Sequence, residues 1–321
     1  MSERLYISMY HYTRDLKHSR YPHIKGLDLE LFEKQLAFFK ENFNVVTMEE
    51  VIDAYSNKKA FPEKALLLTF DDGYIDNYTI ALPLLKKYGF QGSFFIPAKT
   101  FCENKLLDVN KIHFILAVAE EKGLISSLAE QIMALIDEYR KGRDDIETNE
   151  VLYEKYAIAN RFDDKDTVFC KRVLQTGIPE DIRNKISSRL FEEYVGIKEE
   201  NFARELYMSY DQIQLMKKEG MFIGVHGYDH YWLGNLNKEE MEKDIDKALS
   251  SLKGLIDENC WVMNYPYGSY NDDVIDCVSR KGCVLGLSTR VDIATLNDDR
   301  YALPRLDCND FPPKSENYKR Y

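Results

Sequence analysis

Ala65-Leu66-Leu67-Leu68-Thr69-Phe70-Asp71-Asp72-Gly73 is the stretch whose reading decides the fold. Ala65–Phe70 is a continuous apolar run, which reads as a strand buried on both faces, as in a parallel sheet covered by helices. The run passes without a break into two carboxylates and a glycine. Asp-Asp-Gly is also a good turn tripeptide, so the three residues alone leave a plain turn open. Adjacent carboxylates at the end of a buried strand repel one another and resist desolvation, and a cation held between them relieves both costs.

Working outward, strands and helices alternate. Leu5–Tyr10 is a short apolar strand, and Asp28 is placed to N-cap a helix carrying Leu31, Phe32, Leu36 and Phe39. Strand-like Val45-Val46 precedes a helix around Thr47–Tyr55, with Thr47 and Glu50 forming a capping box. After Asp71-Asp72-Gly73 the pattern predicts a helix over Tyr78–Lys87 and a strand over Ser93–Pro97. From 103 to about 207 the chain reads as helical almost throughout, with apolar stripes at Leu128, Ile132, Leu135 and Ile136 and at Ile182, Ile186 and Leu190. Alternation returns at Ser209, whose capping box with Gln212 opens a helix. The strand Met221–Val225 follows, then a helix capped by Asn237, the strand Trp261–Tyr265, a helix near Asp272–Lys281 and the strand Cys283–Ser288. This order implies a parallel sheet, open or closed into a barrel, interrupted by a helical insertion at about 103–207.

The chemistry collects at strand ends. Leu5–Tyr10 runs into His11, Ala65–Phe70 into Asp71-Asp72, Met221–Val225 into His226-Gly227-Tyr228-Asp229-His230, and Trp261–Tyr265 into Pro266-Tyr267-Gly268. In parallel α/β proteins the carboxyl ends of the strands share one face, and that face carries the active site. A histidine pair spaced H-x3-H in a helical turn presents both imidazoles to one ion, although such a pair alone also reads as ordinary surface or core histidine. Two histidines and one aspartate form a catalytic zinc set with one position left for water. His18, His23 and His113 lack such a context.

The composition bounds the partners. The 321 residues are 45% hydrophobic and 30% charged, with 43 Lys and Arg against 54 Asp and Glu, a net charge of −11. A core is assured, and nucleic acid or an anionic membrane surface is disfavoured as partner. The six cysteines, Cys102, Cys170, Cys260, Cys277, Cys283 and Cys308, form no CxxC pair. With no apolar leader or membrane span read at the start, the expectation is a reduced, soluble, cytoplasmic protein.

These residues resemble the polysaccharide deacetylases of the NodB-homology type (carbohydrate esterase family 4). Thr69-Phe70-Asp71-Asp72-Gly73 matches the first family motif, His226–His230 the second, and Tyr265-Pro266-Tyr267-Gly268 the third, in the form seen among biofilm poly-N-acetylglucosamine deacetylases. The resemblance covers roughly 5–100 and 208–307. It implies a distorted (β/α)7-type barrel and one divalent metal, usually zinc. By position Asp72, His226 and His230 would bind that metal, Asp71 would be the general base, and the Tyr267 N–H would help hold the oxyanion. No histidine follows His230, and Met9-Tyr10-His11-Tyr12 resembles the N-terminal segment that supplies the general acid in the biofilm subgroup, which assigns that role to His11. Gly227 stands where the family carries Ser or Thr, and Asn264 near where many members carry an arginine that orients the base; Arg305 offers that charge from another strand, or a surface salt bridge.

The whole chain, 1–321, is thus expected to be one catalytic barrel with an inserted helical block that acts as a lid or as a docking surface for a partner. The implied activity is metal-dependent removal of an N-acetyl group from a nucleotide-linked, lipid-linked or oligomeric acetamido sugar in surface-glycan synthesis. Hydrolysis of another linear amide such as N-formyl, or of an O-acetyl ester, and an inactive sugar-binding relative are the alternatives. Tyr74, Tyr228, Pro266 and Arg305 complete the expected surroundings of the site, with Tyr231, Trp232 and Tyr270 as further aromatics near the motifs.

Overall fold

Every residue of Ala65–Phe70 is buried, and the reason is its place in the sheet. The computed structural model describes residues 2–159 and 163–321. In chain order its strands are β1 (Arg4–Tyr10), β2 (Thr13–Arg14), β3 (Leu27–Asp28), β4 (Asn44–Val45), β5 (Ala65–Phe70), β6 (Ser93–Ile96), β7 (Phe222–Val225), β8 (Trp261–Asn264), β9 (Cys283–Leu287), β10 (Ala294–Thr295) and β11 (Leu306–Asp307). The main sheet runs β10-β1-β5-β6-β7-β8-β9, with β11 also on β1 and β4 also on β5. All these pairings are parallel except β1 with β10.

Parallel strands need long crossovers, and the helices that supply them cover the sheet. Leu66, Leu68, Phe70, Phe94, Ile223 and Met263 face one core. Leu5, Ile7, Leu67, Phe95, Val262 and Leu285 face the other. With both faces dry, most strand positions take apolar side chains, and β5 is apolar at every position but Thr69.

The sheet curls into a distorted barrel. β9 stands at one end of the strand order, and the segment after it brings that edge back toward β1. Leu303 bridges in parallel to Leu287 at the end of β9, and a few residues on, Leu306 and Asp307 pair with Ser8 and Met9 of β1. Arg305 lies in this closing segment.

The chain divides into two compact units. The first comprises Met1–Asp15, Gly26–Lys105 and Arg204–Tyr321 and holds the sheet. The second comprises Leu16–Lys25 and Leu106–Ala203. Its long helices are Asp108–Glu121, Ile125–Arg140 and Glu180–Val195, and they bury Phe114, Leu128, Ile132, Ile136, Ile182, Ile186 and Leu190. Among the described residues of 103–207 there is no strand. The stretch 16–25, which no sequence pattern ties to the helices, joins them through Tyr21, whose ring meets Phe114 at 5.0 Å and Phe202 at 5.7 Å.

Local signals account for most helix starts. Asp28, Thr47, Ser209 and Asn237 each cap their helix, and Thr47 and Ser209 complete capping boxes. The helix expected over Tyr78–Lys87 differs: a π-helical turn, Asn77–Ala81, comes first, and the α-helix is Leu82–Tyr88. Pro83 has no N–H to donate and crowds the preceding turn, which widens so that the Leu82 N–H reaches the Asn77 carbonyl. Among the described residues no helix is long and apolar enough to cross a membrane.

Candidate active site

Register brings the strand-end residues together. β1 and β5 pair from Leu5 with Ala65 to Tyr10 with Phe70, so His11 and Asp71 leave adjacent strands side by side. The ladder extends one step past the strands, the Asp71 N–H donating to the Tyr10 carbonyl at 2.9 Å. The imidazole Nε2 of His11 stands 3.8 Å from Asp71 Oδ2, and 40% of the His11 side chain is exposed while Asp71 is buried. The residue expected to exchange protons with a substrate is thus the one solvent reaches.

Asp71 is clamped. Arg305 donates to its Oδ1 and Oδ2, each at 2.9 Å, and Asn264 Nδ2 donates to Oδ1 at 2.6 Å. Arg305 also donates to the Ser288 carbonyl (2.9 Å), Thr69 Oγ1 (3.2 Å) and Asn264 Oδ1 (2.9 Å). A buried guanidinium has five N–H groups to satisfy, and these five acceptors meet them. Arg305 is therefore no surface salt bridge, and Asn264 works with it on the same carboxylate. Burial pushes the Asp71 carboxyl up, but the Arg305 guanidinium, and after it His11, bring it below its usual value.

The second carboxylate faces the histidines. Asp72 Oδ1 lies 3.4 Å from His226 Nε2 and 3.3 Å from His230 Nε2. One donor atom from each of the three buried residues falls within 4.8 Å of the others. The Asp72 backbone takes a left-handed φ of 71°, which turns its side chain away from the direction Asp71 takes. His226 Nδ1 donates to the Asn264 carbonyl at 2.6 Å; a carbonyl only accepts, so the Nε2 lone pair of the neutral ring is left for the site. Burial lowers the His230 pKa, favouring the neutral ring a metal requires. Asp72 is held well below the usual carboxylate range: burial opposes this, and the adjoining His226 and His230 imidazoles overcome it. Asp72 Oδ1 and His230 Nδ1 are buried without a hydrogen-bond partner. An ionised carboxylate, two imidazoles and an unpaired buried oxygen between them fit a divalent cation of the zinc type.

The helical-turn geometry expected for His226 and His230 is not found. Residues 226–230 form no helix; Gly227 and His230 have φ of 69° and 60°, and the rings meet at 4.8 Å. The loop is set by its surroundings. Its Tyr228 and Asp229 N–H groups donate to the buried Asp244 carboxylate, each at 2.9 Å. Its Gly227 and Tyr228 carbonyls accept from Ala98 and Lys99 at 3.2 and 3.1 Å. A Cβ on Gly227 would come within 3.0 Å of Asp244 Oδ2. Asp244 thus braces the loop in which the family's hydroxyl is missing. Its signal was present in the sequence: a carboxylate beside Met241, Ile245 and Ala248 on the apolar stripe of the helix Lys238–Ser251.

The remaining expected residues are placed as follows. Tyr74 is buried and donates its hydroxyl to Asp72 Oδ2 at 2.6 Å. Tyr228 donates to Glu103 Oε1 at 2.6 Å and carries Lys247 3.7 Å from its ring centroid. Pro266 is buried and opens the short 3-10 turn Pro266–Gly268, in which Tyr267 is left-handed with φ 57° and ψ 7°. The Tyr267 ring packs against His230 at 4.6 Å and stacks on Trp232 at 4.4 Å.

This geometry has relatives. YxkH of Bacillus subtilis is 19% identical over 276 residues, covering 86% of this chain and 63% of that protein. The poly-beta-1,6-N-acetyl-D-glucosamine N-deacetylase of Staphylococcus aureus is 25% identical over 167 residues, 49% of this chain and 56% of that enzyme. The chain therefore spans less than two thirds of the length of either curated relative. The solved Streptococcus pyogenes deacetylase PplD, in complex with acetate, superposes with a TM-score of 0.60 at 18% identity over 100% of this chain and 98% of that one, a likeness of fold. The sequence profile of the polysaccharide deacetylases matches residues 58–126 and 154–285, taking in the β5 carboxylates, the histidine loop and the Tyr267 turn. With well over half its length under that profile, the chain belongs to the polysaccharide deacetylase family.

Proposed function

We propose that this protein is a metal-dependent hydrolase that removes the N-acetyl group of an acetamido sugar. The observation that carries the reading is the pairing of a clamped carboxylate, Asp71, beside a half-exposed imidazole, His11, with the buried donor set of Asp72, His226 and His230. A divalent ion held by those three residues supplies a Lewis acid for the acetyl carbonyl and lowers the pKa of water to about 7.

The chain's own residues do the rest. Asp71, kept ionised and aimed by Arg305 and Asn264, takes a proton from the attacking water. The Tyr267 N–H, presented by its left-handed turn, donates to the oxyanion that develops on the carbonyl oxygen. His11, protonated and open to solvent, returns a proton to the leaving nitrogen as the C–N bond breaks. The match to an N-deacetylase of a β-1,6-linked glucosamine polymer supports an oligosaccharide or carrier-linked acetamido sugar as substrate class. The proposed setting is the cytoplasm, which cell fractionation tests.

The test is acetate release from N-acetyl oligosaccharides and nucleotide- and lipid-linked sugars, with N-formyl and O-acetyl analogues alongside. Asp71→Asn is expected to lower kcat by about 10²–10⁴-fold while elemental analysis still finds metal bound. Undiminished turnover in that variant, or preference for the ester over the amide, refutes the assignment.

A further inference from the structure

We propose that Tyr74 is a positioning residue for the metal centre: its hydroxyl holds one oxygen of Asp72 and so commits the other to the two imidazoles. The inference rests on the metal-centre reading above and extends it to how the centre is kept in shape.

A carboxylate can offer a cation either oxygen or both, and rotation about its terminal torsion interchanges them at little cost. Here that rotation is blocked. The Tyr74 hydroxyl donates to Asp72 Oδ2 at 2.6 Å, while Oδ1, with no hydrogen-bond partner, lies within 3.4 Å of the Nε2 atoms of His226 and His230. A phenol donates one hydrogen bond, and a buried ionised carboxylate accepts it strongly. Asp72 is thereby limited to one free oxygen, and that oxygen is the one in the donor triangle.

The phenol is itself held. Its ring is fully buried and stacks on Tyr12 with centroids 4.1 Å apart and planes 18° from parallel. Tyr207 lies parallel to it at 6.1 Å, and the Tyr74 and Tyr207 backbones form an antiparallel bridge. The Arg14 guanidinium caps Tyr12 at 4.8 Å and is pinned by Asp76 at 2.7 Å. Arg14, Tyr12 and Tyr74 thus form a column ending in the hydroxyl that touches Asp72. Tyr12 follows His11 directly, so the same column anchors the strand end that carries the proposed acid. Partners of metal ligands that orient them in this way are worth about 10–100-fold in metal affinity.

The experiment is Zn²⁺ titration of metal-stripped wild type, Tyr74→Phe, Tyr12→Leu and His226→Ala in competition with a chromophoric chelator. Thermal unfolding of each with and without Zn²⁺ is measured alongside. Tyr74→Phe keeps the ring and the stack and is expected to weaken Zn²⁺ binding by about 10–100-fold and to shrink the Zn²⁺-induced rise in Tm. Tyr12→Leu, which loosens the column but leaves the hydroxyl, is expected to weaken binding by less. A role in packing alone would lower the Tm of metal-free protein and leave Zn²⁺ affinity unchanged. That outcome, with His226→Ala still abolishing binding, overturns this inference and leaves the metal-centre reading standing; wild type that binds no Zn²⁺ overturns both.

Discussion

Arg305 and Asp71 form a fully buried ion pair, and such pairs behave asymmetrically: removing one partner strands the other charge in a dry site. Arg305→Leu is therefore expected to destabilise the fold by about 3–5 kcal/mol, measured as the loss in free energy of unfolding by urea. Activity should fall as well, because the pKa of Asp71 rises once its counter-charge is gone. The pH dependence has a definite sign. Asp71 is held below its ordinary value in the fold, so the stability it contributes is present above the unfolded carboxyl pKa of about 3.9 and is lost as pH falls through the folded value. Asp71→Asn should accordingly show a shallower loss of stability than wild type below about pH 4, read from thermal unfolding across that range. The sequence shows both Asp71 and Arg305 but not their contact, because 234 positions separate them and no local period connects them. Asn264 was equally visible, as a departure from the family; its two-sided role, donating to Asp71 and accepting from Arg305, exists only once β8 lies beside the closing segment.

At the scale of elements, the strands were legible because their environment is uniform. A strand covered on both faces writes itself as a mostly apolar run, and β5, β7 and β8 do so apart from Thr69 and Asn264. Helix starts were legible because their capping is local. The histidine loop was not, since its shape is imposed from outside: the helix Lys238–Ser251 contributes Asp244, and Ala98 and Lys99 contribute two donors. Asp244→Ala leaves the Tyr228 and Asp229 N–H groups without their acceptor. It is expected to cost about 1–3 kcal/mol and to weaken metal binding along with stability, seen together in a denaturant titration run with and without Zn²⁺. An intact unfolding midpoint in that variant would mean that the loop is held by other contacts. Short elements such as β10 and β11 escaped sequence reading for a related reason: two residues carry no period.

At the scale of the molecule, the proposed metal would be linked to the fold. A cation that binds only the folded chain stabilises it by about 2.7 kcal/mol at a concentration 100 times its Kd. Chelation is thus expected to lower the unfolding midpoint reversibly, and Asp72→Ala to remove the response to added metal; an identical midpoint with and without chelator argues against the centre. The helical unit, Leu106–Ala203 with Leu16–Lys25, showed itself in the sequence as amphipathic stripes, but the recruitment of Leu16–Lys25 did not, being a matter of where Tyr21 finds aromatic partners. By itself, the sequence determined the parallel α/β class and the strand ends that carry chemistry, because apolar runs, caps and motif spacings are short-range properties of the chain; the grouping of Asp72 with His226 and His230 came from the family resemblance, not from any local period. Only the tertiary structure decided that Arg305 and Asn264 share Asp71, that Asp244 braces the histidine loop and that Tyr74 faces Asp72. Those contacts depend on register and on how the sheet closes, and the energy of that closure belongs to no single segment.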